Sequence, residues 1–201
     1  MFNSLQLNNG NGTFNEITQM AQVSKTDWSW TLFFSDFDND EWKDLYITNG
    51  ILRDVRNRDF DIKRSELINE FEANKSNGAK LPSPAELVKL APSVKIKNYM
   101  YRNDRNLHFE NKTDKWNLGQ PSFSQGASYG DLDNDGDIDI IVNSMSENAF
   151  IYKNKLKQIS KEKSNNLRIK IIGENKNKSG VGFRAKLFIG DKFQIQEMNN
   201  I

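Results

Sequence analysis

The chain has 201 residues, a net charge of +1 and 36% hydrophobic residues. That length supports one substantial core, or one domain plus part of another. It contains no cysteine, which excludes disulfide staples, thiolate metal sites and cysteine nucleophiles. There is no 18-residue apolar run of the kind a membrane-spanning helix needs. Thirteen Phe, five Tyr and four Trp supply bulky core residues and argue against global disorder.

The N-terminus, Met1-Phe2-Asn3-Ser4-Leu5-Gln6, lacks the basic region and apolar core of a signal peptide. Ser4–Leu7 reads as a strand, Asn9-Gly10-Asn11-Gly12 as a turn and Thr13–Ile17 as the returning strand. A hairpin alone is marginal, so this one needs neighbours. Trp28–Phe34 is the next expected strand, packing aromatic side chains between layers.

That strand feeds an acidic loop, Asp36-Phe37-Asp38-Asn39-Asp40-Glu41-Trp42-Lys43-Asp44, followed by Leu45-Tyr46-Ile47-Thr48. Asp36, Asp38, Asp40 and Asp44 occupy loop positions 1, 3, 5 and 9. The Trp42 carbonyl stands where a backbone ligand is expected. Carboxylates so spaced form an oxygen-rich cup, and calcium takes six to eight oxygens at loose geometry. Glu41 fills position 6, where a left-handed backbone would cost a non-glycine residue about 1 kcal/mol.

Residues 50–97 differ in texture. Ile62, Leu67, Ile68 and Phe71 have approximate helical spacing, and Asn77-Gly78 provides a stop. Ser83-Pro84-Ala85-Glu86 has a Ser cap, Pro at the first helical position and Glu at the third. Pro92 ends that short helix. This stretch is expected to be a mostly helical insertion lying over the sheets, either carrying specificity or simply covering a sheet edge.

Strands resume at Asn98–Asn103, turn through Asp104-Arg105-Asn106 and return through Leu107–Glu110, matching the N-terminal hairpin in kind. The second acidic loop is Asp131-Leu132-Asp133-Asn134-Asp135-Gly136-Asp137-Ile138-Asp139, running into Ile140-Ile141-Val142. Asp131, Asp133, Asp135 and Asp139 repeat the pattern 95 residues on. The Asp137 carbonyl is the backbone ligand, and Gly136 supplies freedom for the reversal. Position 12 is Val142, in a strand, whereas an EF-hand needs a bidentate Glu there and flanking helices. Ala149–Asn154 supplies a third strand. The repeating order is entry strand, acidic loop, strand, third strand, turn and Phe strand. That is a four-stranded antiparallel unit, and radial stacking of such units gives a propeller.

Residues 155–165 read as a Lys/Ser/Asn linker. Asn166–Gly173 alternates as a strand does, Phe183–Ile189 follows Gly180-Val181-Gly182, and Gly190-Asp191 turns the chain into a strand beginning at Phe193. Lys153 to Lys186 holds eleven Lys or Arg against Glu162 and Glu174. Diluted by Asn and Ser and lacking interleaved aromatics, this stretch is a solvated surface rather than a nucleic-acid site.

The two acidic loops with their flanks, Phe34–Gly50 and Tyr129–Asn143, resemble the FG-GAP/VCBS repeats, relatives of the integrin α-subunit propeller. Asn166–Ile169 and Asn177–Ala185 resemble the beginning of an ASPIC/UnbV domain. The resemblance implies an all-β fold: a partial or open propeller of four-stranded blades over residues 1–154, with the 50–97 insertion, then the start of a β-domain over 155–201. It implies a secreted, periplasmic or outer-membrane-surface setting and two calcium ions. The ligands carry over to Asp36, Asp38, Asp40, Trp42 and Asp44, and to Asp131, Asp133, Asp135, Asp137 and Asp139. Two loops are fewer than the blades of a closed propeller, so the chain reads as a piece of something longer, or as blades that self-associate or join others.

Enzyme chemistry finds little support. Aspartates that surround a cation stay ionised and cannot serve as an acid. His108, the single histidine, has no sequence-defined nucleophile beside it. Glycine-rich phosphate loops and zinc spacings are missing. The reading is a non-catalytic, calcium-stabilised extracellular module with a glycan or protein as ligand. The alternatives are a non-catalytic part of a secreted carbohydrate-related enzyme and a purely structural blade set.

Overall fold

The computed structural model describes residues 2–160, 167–174 and 176–198. It is mostly β, built from small antiparallel sheets. Strands β1 (Gln6–Asn8) and β2 (Phe14–Glu16) form a hairpin. A four-stranded sheet follows in the order β3 (Ser29–Ser35), β4 (Asp44–Asn49), β5 (Tyr99–Asn103) and β6 (Phe109–Asn111). The next sheet has three strands, β7 (Ser124–Gly130), β8 (Asp139–Ser144) and β9 (Phe150–Tyr152). A last hairpin joins β10 (Arg184–Ile189) to β11 (Lys192–Glu197). No closed ring of strands is present among the described residues.

The 95-residue repeat extends to individual backbone hydrogen bonds. Ile17 N donates to the Leu5 carbonyl at 2.9 Å, and Lys112 N to that of Met100 at 2.8 Å. Asn9 N reaches Thr13 O at 3.0 Å, as Asp104 N reaches His108 O at 3.0 Å. Leu5 N donates to the Thr18 hydroxyl, and Met100 N to the Thr113 hydroxyl. The N-terminal hairpin is therefore the outer half of a unit, with β1 and β2 standing where β5 and β6 stand in the next.

Two apolar clusters flank the four-stranded sheet. Successive residues of a strand face opposite sides, and β4 is buried along its whole length. Leu45 and Ile47 therefore pack with Ala21, Val23, Tyr101 and Phe109 on the side of the N-terminal hairpin. Tyr46, with Phe37 and Met100, packs against Leu118, Ile140 and Val142 of the three-stranded unit. Ring centroids of Phe33 and Tyr129 lie 4.7 Å apart across this second seam. At the far end of β4, Gly50 has φ +148°, and a Cβ there would sit 2.7 Å from Phe123 Cα. That close approach of two backbones admits only glycine.

The expected helices of the insertion are present. Helix α1 (Arg58–Asn74) starts at Asn57, whose side chain accepts from Asp59 N and Phe60 N. A 3-10 turn, Lys75–Asn77, ends at Gly78 in the left-handed conformation. Helix α2 (Pro84–Lys89) carries the full capping box between Ser83 and Glu86. The insertion does not lie over the sheets as expected. Phe60 is the one buried residue of α1, and Ile62 and Ile68 of its apolar stripe are exposed. Its two ends are tied by an Ile51–Val94 bridge and by Arg53, which donates to the Lys89 and Ala91 carbonyls at 3.1 Å each.

Two further expectations are revised. Residues 167–174 alternate in hydropathy but form no strand; alternation supplies a face, not a partner backbone. The stretch expected to be a linker opens with a short helix, α3 (Leu156–Ile159). The remaining linker residues 161–165, and Asn166, lie outside the described residues.

Candidate metal centre

Each acidic loop joins the first and second strands of a unit, so antiparallel pairing fixes both of its ends. In the first loop Asn39 and Glu41 are left-handed, with φ of 55° and 75°; in the second, Asn134 and Gly136 match them at 64° and 90°. Asn and Gly tolerate this region, and Glu pays for it. The turns are wired by the aspartates themselves. Glu41 N donates to Asp36 Oδ2 at 2.9 Å, and Gly136 N to Asp131 Oδ2 at 3.1 Å. Trp42 N donates to Asp40 Oδ1 and Asp137 N to Asp135 Oδ1, both at 3.0 Å.

This wiring turns the carboxylates of positions 1, 3 and 5 inward. One oxygen from each of Asp36, Asp38 and Asp40 lies within 4.8 Å of the others, and the same holds for Asp131, Asp133 and Asp135. Asp38 Oδ1 and Asp131 Oδ1 are buried and find no hydrogen-bond donor among the described residues. A buried acceptor without a donor is costly, and a hard cation is the partner an oxygen-only donor set favours.

The position-9 aspartates also tie down the loop ends. Asp44, fully buried, accepts from Phe37 N at 3.1 Å and from Asn103 N at 3.0 Å. Asp139 accepts from Leu132 N at 3.0 Å and from Asn154 N at 2.8 Å. Each clamps the loop entrance to the end of the third strand. Burial pushes the Asp44 carboxyl up to about 7, with the Asp38 charge adding to it. Burial also raises Asp36, against the backbone hydrogen bonds from Glu41 and Asp40.

Position 7 differs between the loops. Trp42 is exposed, whereas the Asp137 side chain is fully buried, accepting from Lys157 N at 2.8 Å and from Asn39 Nδ2 at 3.0 Å. The second of these bonds joins one acidic loop to the other. Asn154 Nδ2 adds a further tie, to the Phe37 carbonyl at 2.8 Å.

Spacing alone did not reveal the basic side chains around the loops. Arg102 pairs with Asp38 and reaches Asp40 Oδ2 at 2.7 Å, and Arg105 reaches the same oxygen at 3.2 Å. Lys153 pairs with Asp133 and stands 3.7 Å from Asp135. Arg168 pairs with Asp131 and donates to Asn134 Oδ1 at 2.7 Å. A signal was present for two of them: Tyr101-Arg102-Asn103 and Tyr152-Lys153-Asn154 repeat a basic residue before the asparagine. His108 lies outside both clusters, its Nδ1 2.7 Å from Asp104 Oδ2 in the β5–β6 turn.

Residues 2–47 and 92–142 match the FG-GAP-like repeat. These two segments contain the first acidic loop with the N-terminal hairpin, and the second loop with the β5–β6 hairpin. No curated protein matches the chain.

Proposed function

We propose that the chain is a non-catalytic, calcium-stabilised binding or assembly module, an open set of propeller blades in which each ion fastens one acidic loop. FG-GAP-like repeats are typical of extracellular proteins, and no described helix is long and apolar enough to cross a membrane. The observation that carries the proposal is the paired geometry: three convergent carboxylates in each loop, 95 residues apart, with one orphaned buried oxygen per loop, on Asp38 at position 3 of the first and on Asp131 at position 1 of the second. Asp36, Asp38 and Asp40, with Asp131, Asp133 and Asp135, supply the first ligands. The Trp42 and Asp137 carbonyls and the outer lone pairs of Asp44 and Asp139 complete the sets. A bound ion supplies charge neutralisation and oxygen coordination.

A non-catalytic role is supported by the commitments of these carboxylates to backbone donors and to the basic side chains around the loops. Recognition of a glycan or protein ligand falls to the exposed loops and the 50–97 insertion. The β10–β11 hairpin supports β character in the C-terminal region, as an ASPIC/UnbV-like domain there requires. Thermal unfolding in EDTA and then in excess calcium tests the core of the proposal. At a hundred times Kd each site adds about 2.7 kcal/mol, and for a chain of this size each kcal/mol is about 2–4 °C. A melting temperature indifferent to calcium sinks the reading.

A further inference from the structure

The third strand of each unit delivers one cation to the acidic loop of the same unit. Arg102 precedes Asn103, whose N–H is held by Asp44; Lys153 precedes Asn154, whose N–H is held by Asp139. The position-9 clamp thereby fixes the base of the cationic side chain beside the loop. From there Arg102 takes Oδ2 of both Asp38 and Asp40, and Lys153 takes Oδ2 of Asp133 with Oδ2 of Asp135 at 3.7 Å. In both loops the cation sits on positions 3 and 5. These aspartates are two of the three whose carboxylates converge in each loop.

We infer that Arg102 and Lys153 are built-in counter-cations: each holds its loop folded when no divalent ion is bound, and incoming calcium must displace it. This rests on the calcium reading above. Three convergent carboxylates without a cation repel one another, and an ammonium or guanidinium relieves that repulsion at the cost of competing with the ion. The residue before the asparagine therefore sets affinity. The first latch is the closer one, because Arg102 engages two aspartates at hydrogen-bond distance whereas Lys153 stands 3.7 Å from its second; each loop also carries a further guanidinium, Arg105 on Asp40 and Arg168 on Asp131. Arg pairs also carry a planar fork that Lys lacks.

The test uses terbium as the probe, with Trp42 at position 7 of the first loop as its sensitiser, and calcium calorimetry for both loops. Removing a unit charge a few ångströms from a multivalent cation in largely aqueous surroundings tightens binding about tenfold. Arg102→Gln is expected to bind terbium about tenfold more tightly than the unmodified chain while melting lower in EDTA. Arg102→Lys, which keeps the charge but not the fork, moves both values back toward those of the unmodified chain. Lys153→Gln does the same at the second loop by calorimetry. If Arg102→Gln fails to fold in EDTA, Lys153→Gln on its separate loop carries the test with the same expected sign. Unchanged or weaker binding by these variants overturns the counter-cation role, because it makes the basic residue neutral or an organiser of the site. If the unmodified chain takes up neither terbium nor calcium, the calcium reading itself falls, and the two failures are told apart by that control.

Discussion

Glu41 offers the sharpest single-residue test, because the second loop carries its own control. Glu41 has φ +75° where Gly136 has φ +90°, and the two N–H groups make the same bond to the position-1 aspartate. An L-residue in the left-handed region loses about 1–2 kcal/mol. Replacing it with glycine returns that strain but costs about 0.5–1 kcal/mol in extra unfolded-chain entropy. Glu41→Gly should therefore stabilise the fold by about 0.5–1 kcal/mol, or about 1–4 °C in melting temperature.

Glu41 also carries a charge beside the loop and interacts with its surroundings, so charge and strain must be separated. Glu41→Gln keeps the strained backbone and removes the charge. In EDTA the comparison of Glu41→Gly with Glu41→Gln isolates the backbone term, and Gly136→Gln supplies the mirror image with the opposite sign. The strain exists in the folded loop with no ion present, so the gain belongs in melting temperature rather than mainly in calcium Kd. Equal melting temperatures for Glu41→Gly and Glu41→Gln, with Gly136→Gln also neutral, would refute the strain argument.

Two further outcomes follow from buried aspartates. The Asp44 carboxyl is raised from 3.8 to about 7 by burial, so its contribution to metal-free stability is complete below about pH 4 and lost as pH rises through 7. Melting the chain and Asp44→Asn in EDTA between pH 5 and 7.5 should show the unmodified chain losing more stability with rising pH; the opposite difference counts against the raised value. Asp137→Ala strips the acceptor from Lys157 N and Asn39 Nδ2, which should cost about 1–3 kcal/mol. Calcium should not repair that loss, because the Asp137 carboxylate links the loops rather than facing the ion, and full recovery in excess calcium would place it among the ligands.

The loops were legible because their chemistry is local. Carboxylates at positions 1, 3 and 5 and the turn residues at 4 and 6 lie within one short segment, and their spacing dictates convergence. The capping box of α2 was legible for the same reason, with Ser83 and Glu86 three residues apart. What the sequence concealed depends on strand register. Arg102 reaches Asp38 only because β5 pairs with β4 in the register Leu45–Tyr101, which carries residue 102 to the loop end of the sheet. The role of position 9 was concealed in the same way, since the Asn103 donor is 59 residues from Asp44. Leu167, Ile169 and Ile171 failed as a strand because pattern alone cannot specify a neighbour. The stripe of α1 was readable as helix, but its destination was not: periodicity marks a face without naming what covers it.

The unit has two functionally different ends, and strand direction separates them. Chain reversal places both acidic loops, the β5–β6 turn and the basic latches where β3 ends and β4 begins. The insertion leaves from the other end of β4, after Asn49. That end has its own fastening, a buried polar chain in which Asn49 N donates to Asn98 Oδ1 at 2.9 Å and Asn98 Nδ2 donates to Ser124 Oγ at 3.0 Å. Ser29 Oγ donates to Asn49 Oδ1 at 3.1 Å and extends the chain to the first strand. Side-chain amides and hydroxyls that satisfy one another in a buried site specify geometry without any ion. The base of the insertion is thus set by neutral hydrogen bonds, while the opposite end is set by charge.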